Sequence, residues 1–475
     1  MADVTTPTGP GIRRRSLLGA AGVASAGGAI GLGFWLRERA ASGMTTDRQK
    51  ATHLLRRAGF APSPAEVDAA MHAGLSATTD SLLHPERVDD GKVEASLAAA
   101  KLDLTNVAQL RQWWLTRMVE TRRPLQEKMT LFWHGVLTSS YRKQGQAKDL
   151  VHVQNDFLRG HALGNLRDVL IGITKDGMML RWLDGTGSSK VHPNENYARE
   201  LMELFTMGVG NYTEADVREG ARALTGWAVA QDGSVRFNAR AHDDGSKTFL
   251  GKTGNLGVDE VIDAIMAQPA TPKYIARRMW EFFAYAAPSD GDIQPIVDAY
   301  NQTHGDIRAM MGALLASPAF FSDKAYRALV KSPAELVAGL NRQLGLPVSR
   351  AQAGAGEGMG QALFDPPSVA GWPGGAAWLS TGSWMARMRY LLTLSGDAQA
   401  AMGRAAADAG VKTPEAAVSH MADVMLEGSL TDGARQAIVD HAAAIVKDLG
   451  GGPLSPQAVA DAVFLLAATP EYQLA

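Results

Sequence analysis

Residues 192–227 read HPNENYARELMELFTMGVGNYTEADVREGARALTGW, and this stretch indicates the fold more directly than any other part of the chain. Asn194 is a favourable N-cap for a first helix, and Gly208 can end that helix in a left-handed conformation. Thr213 predicts the start of a second helix, which Gly226 closes. Two helices joined by a short turn form an αα-hairpin, so the stretch predicts helical architecture.

The same helical periodicity extends over most of the chain beyond Thr45, where apolar residues recur at spacings of three and four. Ser63 and Pro64 mark one helix start. Further helices are predicted over 110–121, 124–135, 164–174, 258–266, 272–283, 292–303, 306–316 and 333–344. The predicted fold class is therefore mainly α, a multi-helix globular body.

Strand signals are few. Residues 234–237 and 247–250 flank the turn-rich segment His242-Asp243-Asp244-Gly245, so we predict one small β-hairpin between them. The Gly- and Ala-rich residues 351–360 are predicted to form a mobile loop.

A faint repeat links two segments, Gly164-Asn165-Leu166-Arg167 and Gly305-Asp306-Ile307-Arg308, each of which leads into a helix. Three partial copies, of which the third ends near Tyr472, are too few and too unevenly spaced for a solenoid. We interpret them as recurring helix-then-turn packing that carries structure rather than chemistry.

Composition excludes several classes of chemistry. None of the 475 residues is cysteine, which excludes disulfides, cysteine-ligated zinc or iron–sulfur clusters and thiol nucleophiles. The 47 basic and 49 acidic residues give a formal net charge of −2, so no nucleic-acid partner is expected. A metal cofactor, if one is used, would be held by histidine and carboxylate groups.

The N-terminal residues 1–43 predict an export signal. Arg14 and Arg15 precede Ser16 and an uncharged run to Leu36, which is the order typical of twin-arginine signals. The alternative is an uncleaved membrane anchor, because the run is long enough to span about 30 Å. Both interpretations place the body outside the cytoplasm, on the secreted, periplasmic or cell-wall side, with the twin-arginine export machinery as a partner.

Beyond this signal we predict a helical domain over residues 44–395. Residues 396–475 are predicted to form Ala-rich helices that pack on the same body.

Candidate catalytic groups lie on the first helix of the hairpin. Glu200 and Glu203 are one turn apart, where paired carboxylates can bind a metal ion or share a proton for general acid catalysis. The alternative is that both form salt bridges with Arg199, Arg218 and Arg222, which would tie the hairpin together.

Three histidines can complete such a site. His134 ends an apolar helix, His192 precedes Pro193, and His242 begins an acidic turn with Asp243. A lone histidine beside an acidic residue is also commonly a structural loop residue. The catalytic candidates are Glu200, Glu203, His134, His242 and Asp243, and the substrate-binding candidates are Asn194, Arg199, Arg222, Lys190 and Trp372.

A second informative stretch is FDPPSVAGWPGG, residues 364–375. Its prolines and glycines favour one fixed, irregular loop. Trp372, Trp378 and Trp384 recur beside it at six-residue spacing. These side chains either form a platform for sugars or other flat substrates, or anchor the loop to the helical core.

Five stretches together resemble one family: FWHG (132–135), residues 192–227, HDDGSKTFLG (242–251), LVKSPAELV (329–337) and residues 364–375. The resemblance is to the exported bacterial family known as domain of unknown function 1800. It implies helical architecture and export, and it implies no reaction. The pattern associated with the first motif is FWHNHF, whereas this chain has Gly135 and Val136 after His134, so the second histidine is missing.

We therefore expect an exported cell-envelope protein, with two functional hypotheses. The first is an enzyme that uses Glu200 and Glu203 with His134 or His242 in acid–base or metal-assisted chemistry. The second is a non-catalytic binding or scaffold protein of the cell envelope.

Overall fold

The computed structural model describes residues 44–145, 147, 149–393, 396–450 and 454–475, without the side chains of 396–398. The predicted export signal, residues 1–43, lies outside the described residues. Within the described part of the chain, no helix is both long and apolar enough to cross a membrane.

The prediction of a mainly α fold is confirmed, since twenty-three α-helices account for most of the described chain. In chain order they are α1 Asp47–Arg57, α2 Pro64–Ala73, α3 Leu75–Leu83, α4 Gly91–Ala100, α5 Val107–Glu120, α6 Pro124–Val136, α7 Leu150–Gly160, α8 Leu166–Thr174, α9 Gly177–Trp182, α10 Glu195–Glu200, α11 Glu214–Ala223, α12 Val258–Met266, α13 Ala270–Phe283, α14 Asp290–Thr303, α15 Ile307–Ala316, α16 Pro333–Leu344, α17 Arg350–Gly358, α18 Thr381–Leu392, α19 Gly396–Asp408, α20 Pro414–Leu426, α21 Asp432–Asp448, α22 Pro456–Ala468 and α23 Pro470–Gln473.

The prediction of one β-hairpin is wrong in its pairing, because the described residues contain two. Strand β1 (Trp227–Val229) pairs antiparallel with β2 (Val235–Phe237), and β3 (Lys247–Phe249) pairs with β4 (Lys252–Gly254). Each strand pairs with the strand next to it in the chain across a short turn, rather than with the more distant strand. In the second hairpin, Leu250 and Gly251 both have positive φ, 47° and 84°, as a tight two-residue turn requires.

The predicted mobile loop is also wrong, because residues 350–358 form helix α17. Ser349 accepts a hydrogen bond from the backbone N–H of Gln352, and the Gln352 side chain accepts one from the N–H of Ser349 in return. This capping box starts the helix. The cap and the alanines outweigh the low helix propensity of the glycines.

Two apolar cores lie within the residues that the structure describes. The first includes Trp133, Trp280 and Phe320 and is built mainly by α6 to α15. The second includes Trp114 and Tyr472 and joins α5 to α16 and to the C-terminal helices. Helix α6 contributes to both cores, so the boundary between them runs along this helix.

The two clearest repeat segments pair with each other. The N–H of Leu166 donates to the carbonyl of Gly305 at 2.9 Å, and the N–H of Ile307 donates to the carbonyl of Gly164 at 2.8 Å. These bonds form an antiparallel bridge just before α8 and α15. The repeat therefore joins two helix starts within the first core.

The C-terminal residues lie against the LVKSPAELV stretch. The N–H of Lys331 donates to the carbonyl of Gln473 at 2.9 Å, and the N–H of Ala475 donates to that of Leu329 at 2.8 Å. Arg387, on α18, donates to the carbonyl of Lys331 and to the side chain of Gln473. These bonds hold the start of α16 in place from the C-terminal side.

Candidate functional site

The predicted helix over residues 195–207 is irregular. It is α-helical to Glu200 and continues as a π-helix over Leu201–Thr206, and the N–H of Met207 donates to the carbonyl of Met202 at 2.8 Å. A π-helix has more residues per turn than an α-helix, so the residues that follow it lie on a different side of the helix. Regular α-helical spacing would place Met207 on the same face as Glu200 and Glu203, but Met207 faces the core with 2% exposure.

The two carboxylates do not form the salt bridges that the structural interpretation required. Arg199 donates two hydrogen bonds of 2.8 Å to Glu214, and the side chain of Glu203 accepts a hydrogen bond from the hydroxyl of Tyr212. Burial and the neighbouring charge of Glu203 raise the pKa of Glu200. Glu200 and Glu203 thus remain a like-charged pair at a half-buried position.

His242 and Asp243 lie in a turn held by the second helix of the hairpin. Asp243 accepts two hydrogen bonds from Arg222, at 2.7 and 3.2 Å, and this partner holds the pKa of Asp243 below its usual value. The Nδ1 atom of His242 lies 3.0 Å from the carbonyl oxygen of Thr225. These contacts stabilise the hairpin and its following turn.

Of the substrate-binding candidates near the start of the hairpin, Asn194 is hydrogen-bonded within the protein and Lys190 is exposed to solvent. Asn194 accepts a hydrogen bond from the N–H of Asn196 and donates one to the carbonyl of Leu183 at 3.1 Å. The pocket beside it has a volume of about 20 Å³, which is room for about one water molecule. Lys190 is exposed in the preceding turn.

Among the described residues, no group of three or more histidine and acidic side chains lies close enough together to hold a metal ion. Within the described part of the chain, no hydrogen bond joins Glu200 or Glu203 to a histidine, since His134 bonds to Phe364 and His242 to Thr225. The predicted roles of Glu200 and Glu203 in acid–base or metal-assisted chemistry remain predictions.

His134 lies near the C-terminal end of α6, in an aromatic environment, and is 1% exposed. Its ring packs edge-on against Trp114 and Phe364 and lies 5.5 Å from the ring of Trp372. Its Nε2 atom accepts a hydrogen bond of 3.2 Å from the N–H of Phe364. Because burial lowers the pKa of His134 to about 3, the ring is neutral near neutral pH.

Replacing His134 by glutamine is expected to change the pH dependence of stability. Between pH 6.5 and about pH 3 the unfolded chain binds a proton at this position and the folded protein does not, so stability falls as the pH falls. Glutamine can still accept from Phe364 but does not titrate. The free energy of unfolding of each protein is measured in urea between pH 6 and pH 4.5. The slope of this free energy against pH should be smaller in His134→Gln than in wild type, and the two slopes should differ by about 1.4 kcal/mol per pH unit. Equal slopes would contradict a buried neutral His134.

The loop 364–375 is fixed to the end of α6. Thr138 donates to the carbonyl of Val369 at 2.5 Å, and Arg142 and Ser140 donate to the carboxylate of Asp365. Gly371 has φ of 83°, and a Cβ atom there would lie 2.6 Å from the carbonyl oxygen of Gly135. Only glycine allows this approach. His134 thus helps to position the loop.

A cavity of about 420 Å³ lies between α6, this loop and the start of α16. That volume lies within the range of about 300–1,000 Å³ typical of small-molecule sites. Its walls are largely apolar and aromatic, with a few polar groups. The lining residues are Leu131, Phe132, Gly135, Val136, Arg278, Glu281, Phe282, Ala286, Leu329, Val330, Ser332, Glu335, Gln361, Trp372, Pro373, Gly374, Gly375 and Trp378.

Two charged side chains at the cavity were not predicted from the sequence. Arg278 and Glu281 are three residues apart on α13, and therefore on one face of that helix. Neither forms a hydrogen bond or an ion pair with any residue that the structure describes. Their spacing in the sequence is that of an ordinary surface pair, so no sequence signal separated them from others.

An ion pair between the buried Lys128 and the partly buried Glu335 lies at the wall of the cavity. Lys128 on α6 donates to Glu335 and to the carbonyl of Gly59. Burial alone would raise the pKa of Glu335, but Lys128 and the N–H of Ser332 outweigh it and keep this pKa below its usual value. Glu335 also caps its own helix, so it fixes the start of α16 against α6.

A family model described as a protein of unknown function, DUF1800, matches residues 53–474. The chain belongs to this family. The match continues through the C-terminal helices, beyond the stretches that carried the resemblance. Comparisons with curated proteins and with solved structures give no significant match.

Three of the stretches that resemble DUF1800 meet at the cavity. They are FWHG, through Phe132 and Gly135, LVKSPAELV, through Val330 and Glu335, and the loop 364–375, through Trp372. The departure from FWHNHF also falls here, because Gly135 and Val136 both line the wall. The cavity is therefore the place where separate family stretches form one concave surface.

Proposed function

We propose that this protein is exported to the cell envelope and binds a small organic ligand in the cavity beside Trp372. One observation carries the proposal: three distant stretches of the chain, each part of the family resemblance, converge on one cavity of ligand size. Aromatic walls with a few polar groups are typical of such sites. This corresponds to the binding alternative for an envelope protein.

We prefer binding to an enzyme that acts through Glu200 and Glu203. Neither of the two histidines forms a hydrogen bond with Glu200 or Glu203, because His134 accepts from the N–H of Phe364 and the Nδ1 atom of His242 lies beside the carbonyl of Thr225. The cavity instead brings together Arg278, Glu281 and an apolar surface. In a small-molecule site the apolar surface contributes affinity and a few polar groups fix the orientation of the ligand.

Ligand-observed NMR tests the proposal. A panel of small aromatic acids, amines and amino acids, together with sugars, should give binders that compete with one another for a single site. The expected affinities are in the micromolar to millimolar range, as for small ligands in a preformed cavity. A panel that gives no binder, or gives binders that do not compete, would contradict the proposal.

Export rests on Arg14 and Arg15. Replacing both by lysine is expected to keep the protein inside the cell, because the pair is the recognition element of the proposed signal. Fractionation of cells that produce the wild type and the double variant measures the effect. Replacing Arg37 and Arg39, which follow the uncharged run, by lysine is the matched control and should leave export unchanged. Undiminished export of the Arg14→Lys/Arg15→Lys variant would refute twin-arginine export.

A further inference from the structure

We infer that the cavity binds a free α-amino acid with a large apolar side chain, an inference that rests on the proposed function. Its basis is the placement of one cation and one anion, Arg278 and Glu281, beside aromatic walls. Both line the cavity, and neither has a partner among the described residues.

The two charges match the two ends of an amino-acid head group. Residues three apart on a helix have Cβ atoms about 5–6 Å apart, so both heads can reach one compact group. The guanidinium of Arg278 can bind a carboxylate through two parallel hydrogen bonds, while Glu281 accepts from an ammonium. In an α-amino acid these charges are attached to one carbon atom. In an extended peptide they lie too far apart for this pair.

The rest of the cavity suits an apolar side chain. Phe132, Phe282, Trp372 and Trp378 line it together with Val330 and Leu131. Aromatic rings gain most from contact with another ring or a broad aliphatic group. The Gly374-Gly375 backbone also lines the cavity and adds no side chain of its own.

Ligands with a single charge fit the cavity less well. A carboxylic acid would pair with Arg278 but would be repelled by Glu281, and an amine would have the opposite problem. A neutral sugar would bring no charge to either group. A zwitterion supplies an opposite charge to both groups at once.

Calorimetric titration of the full chain with four probes tests the inference: L-phenylalanine, 3-phenylpropionate, 2-phenylethylamine and glucose. Phenylalanine should bind about tenfold to a hundredfold more tightly than the acid or the amine, since each lacks one charge-assisted contact. Glucose should show no binding at the same concentrations. These comparisons use the wild-type protein and need no variant.

Two variants then assign the contacts. Arg278→Gln should weaken the binding of phenylalanine at least about tenfold and should not weaken the binding of 2-phenylethylamine. Glu281→Gln should weaken the binding of phenylalanine and should not weaken the binding of 3-phenylpropionate. Arg277→Gln is the matched control, because Arg277 donates to the carbonyl of Pro288 and to Asp290 and does not line the cavity. It should leave all affinities unchanged.

Several results would overturn the inference. One is equal affinity for phenylalanine and for the singly charged probes. Another is tighter binding of glucose than of phenylalanine. The third is an equal effect of Arg278→Gln and Arg277→Gln on the affinity for phenylalanine. If phenylalanine fails to bind while other panel compounds still compete for one site, the inference falls and the proposed function stands. If no panel compound binds, the proposed function falls as well.

Discussion

Replacing Glu335 by glutamine is expected to lower the free energy of unfolding by about 3–5 kcal/mol. The change leaves the ammonium of Lys128 buried without its counter-charge, and Lys128 is 1% exposed. Glutamine can still accept from the N–H of Ser332, so the helix cap is preserved. The loss therefore reports on the buried charge rather than on the cap.

Urea denaturation at neutral pH measures this effect, with Glu94→Gln as the matched control. Glu94 pairs with Arg117 but is 59% exposed, so its loss should cost about 1 kcal/mol or less. The double variant Lys128→Met/Glu335→Gln should recover much of the stability, because no unpaired charge remains. A double variant that is less stable than Glu335→Gln alone would contradict this explanation.

Replacing Gly135 by tryptophan is expected to weaken binding at the cavity by at least about a hundredfold, or about 2.8 kcal/mol. Gly135 lines the cavity on α6, and a Cβ atom there would meet nothing within 4 Å. The backbone therefore accepts a side chain, and the indole occupies the space that a ligand needs. Folding should change little, since glycine is the poorer helix former.

Gly433→Trp is the control for this substitution. Gly433 is exposed in the first turn of α21, and a Cβ atom there also meets nothing within 4 Å. It adds the same side chain to a helix away from the cavity. Calorimetric titration with phenylalanine should give wild-type affinity for Gly433→Trp and no measurable binding for Gly135→Trp. Equal affinities of the two variants would place the binding site elsewhere.

The fold class could be predicted because periodicity and caps are local signals. Asn194, Thr213 and Ser63 each cap a helix in the structure as their positions predicted. Strand partners and the π-helix at 201–206 depend on tertiary packing. The capping box at Ser349 is a local signal as well, but the prediction of a loop rests only on the glycine and alanine content of residues 351–360.

The candidate site was predictable only in part. Trp372 was singled out, and it does line the cavity. Arg278 and Glu281 were not, because their role depends on the approach of the loop 364–375, which lies almost a hundred residues further along the chain. His134 was singled out as a chemical group, and the structure surrounds it with aromatic rings instead.

A crystal structure of the full protein with L-phenylalanine tests the central claim, that the cavity is the ligand site, most directly. We predict electron density for one molecule between Trp372 and Phe282, with its carboxylate at Arg278 and its ammonium at Glu281. Density for the ligand beside Glu200 and Glu203, with none in the cavity, would contradict the claim.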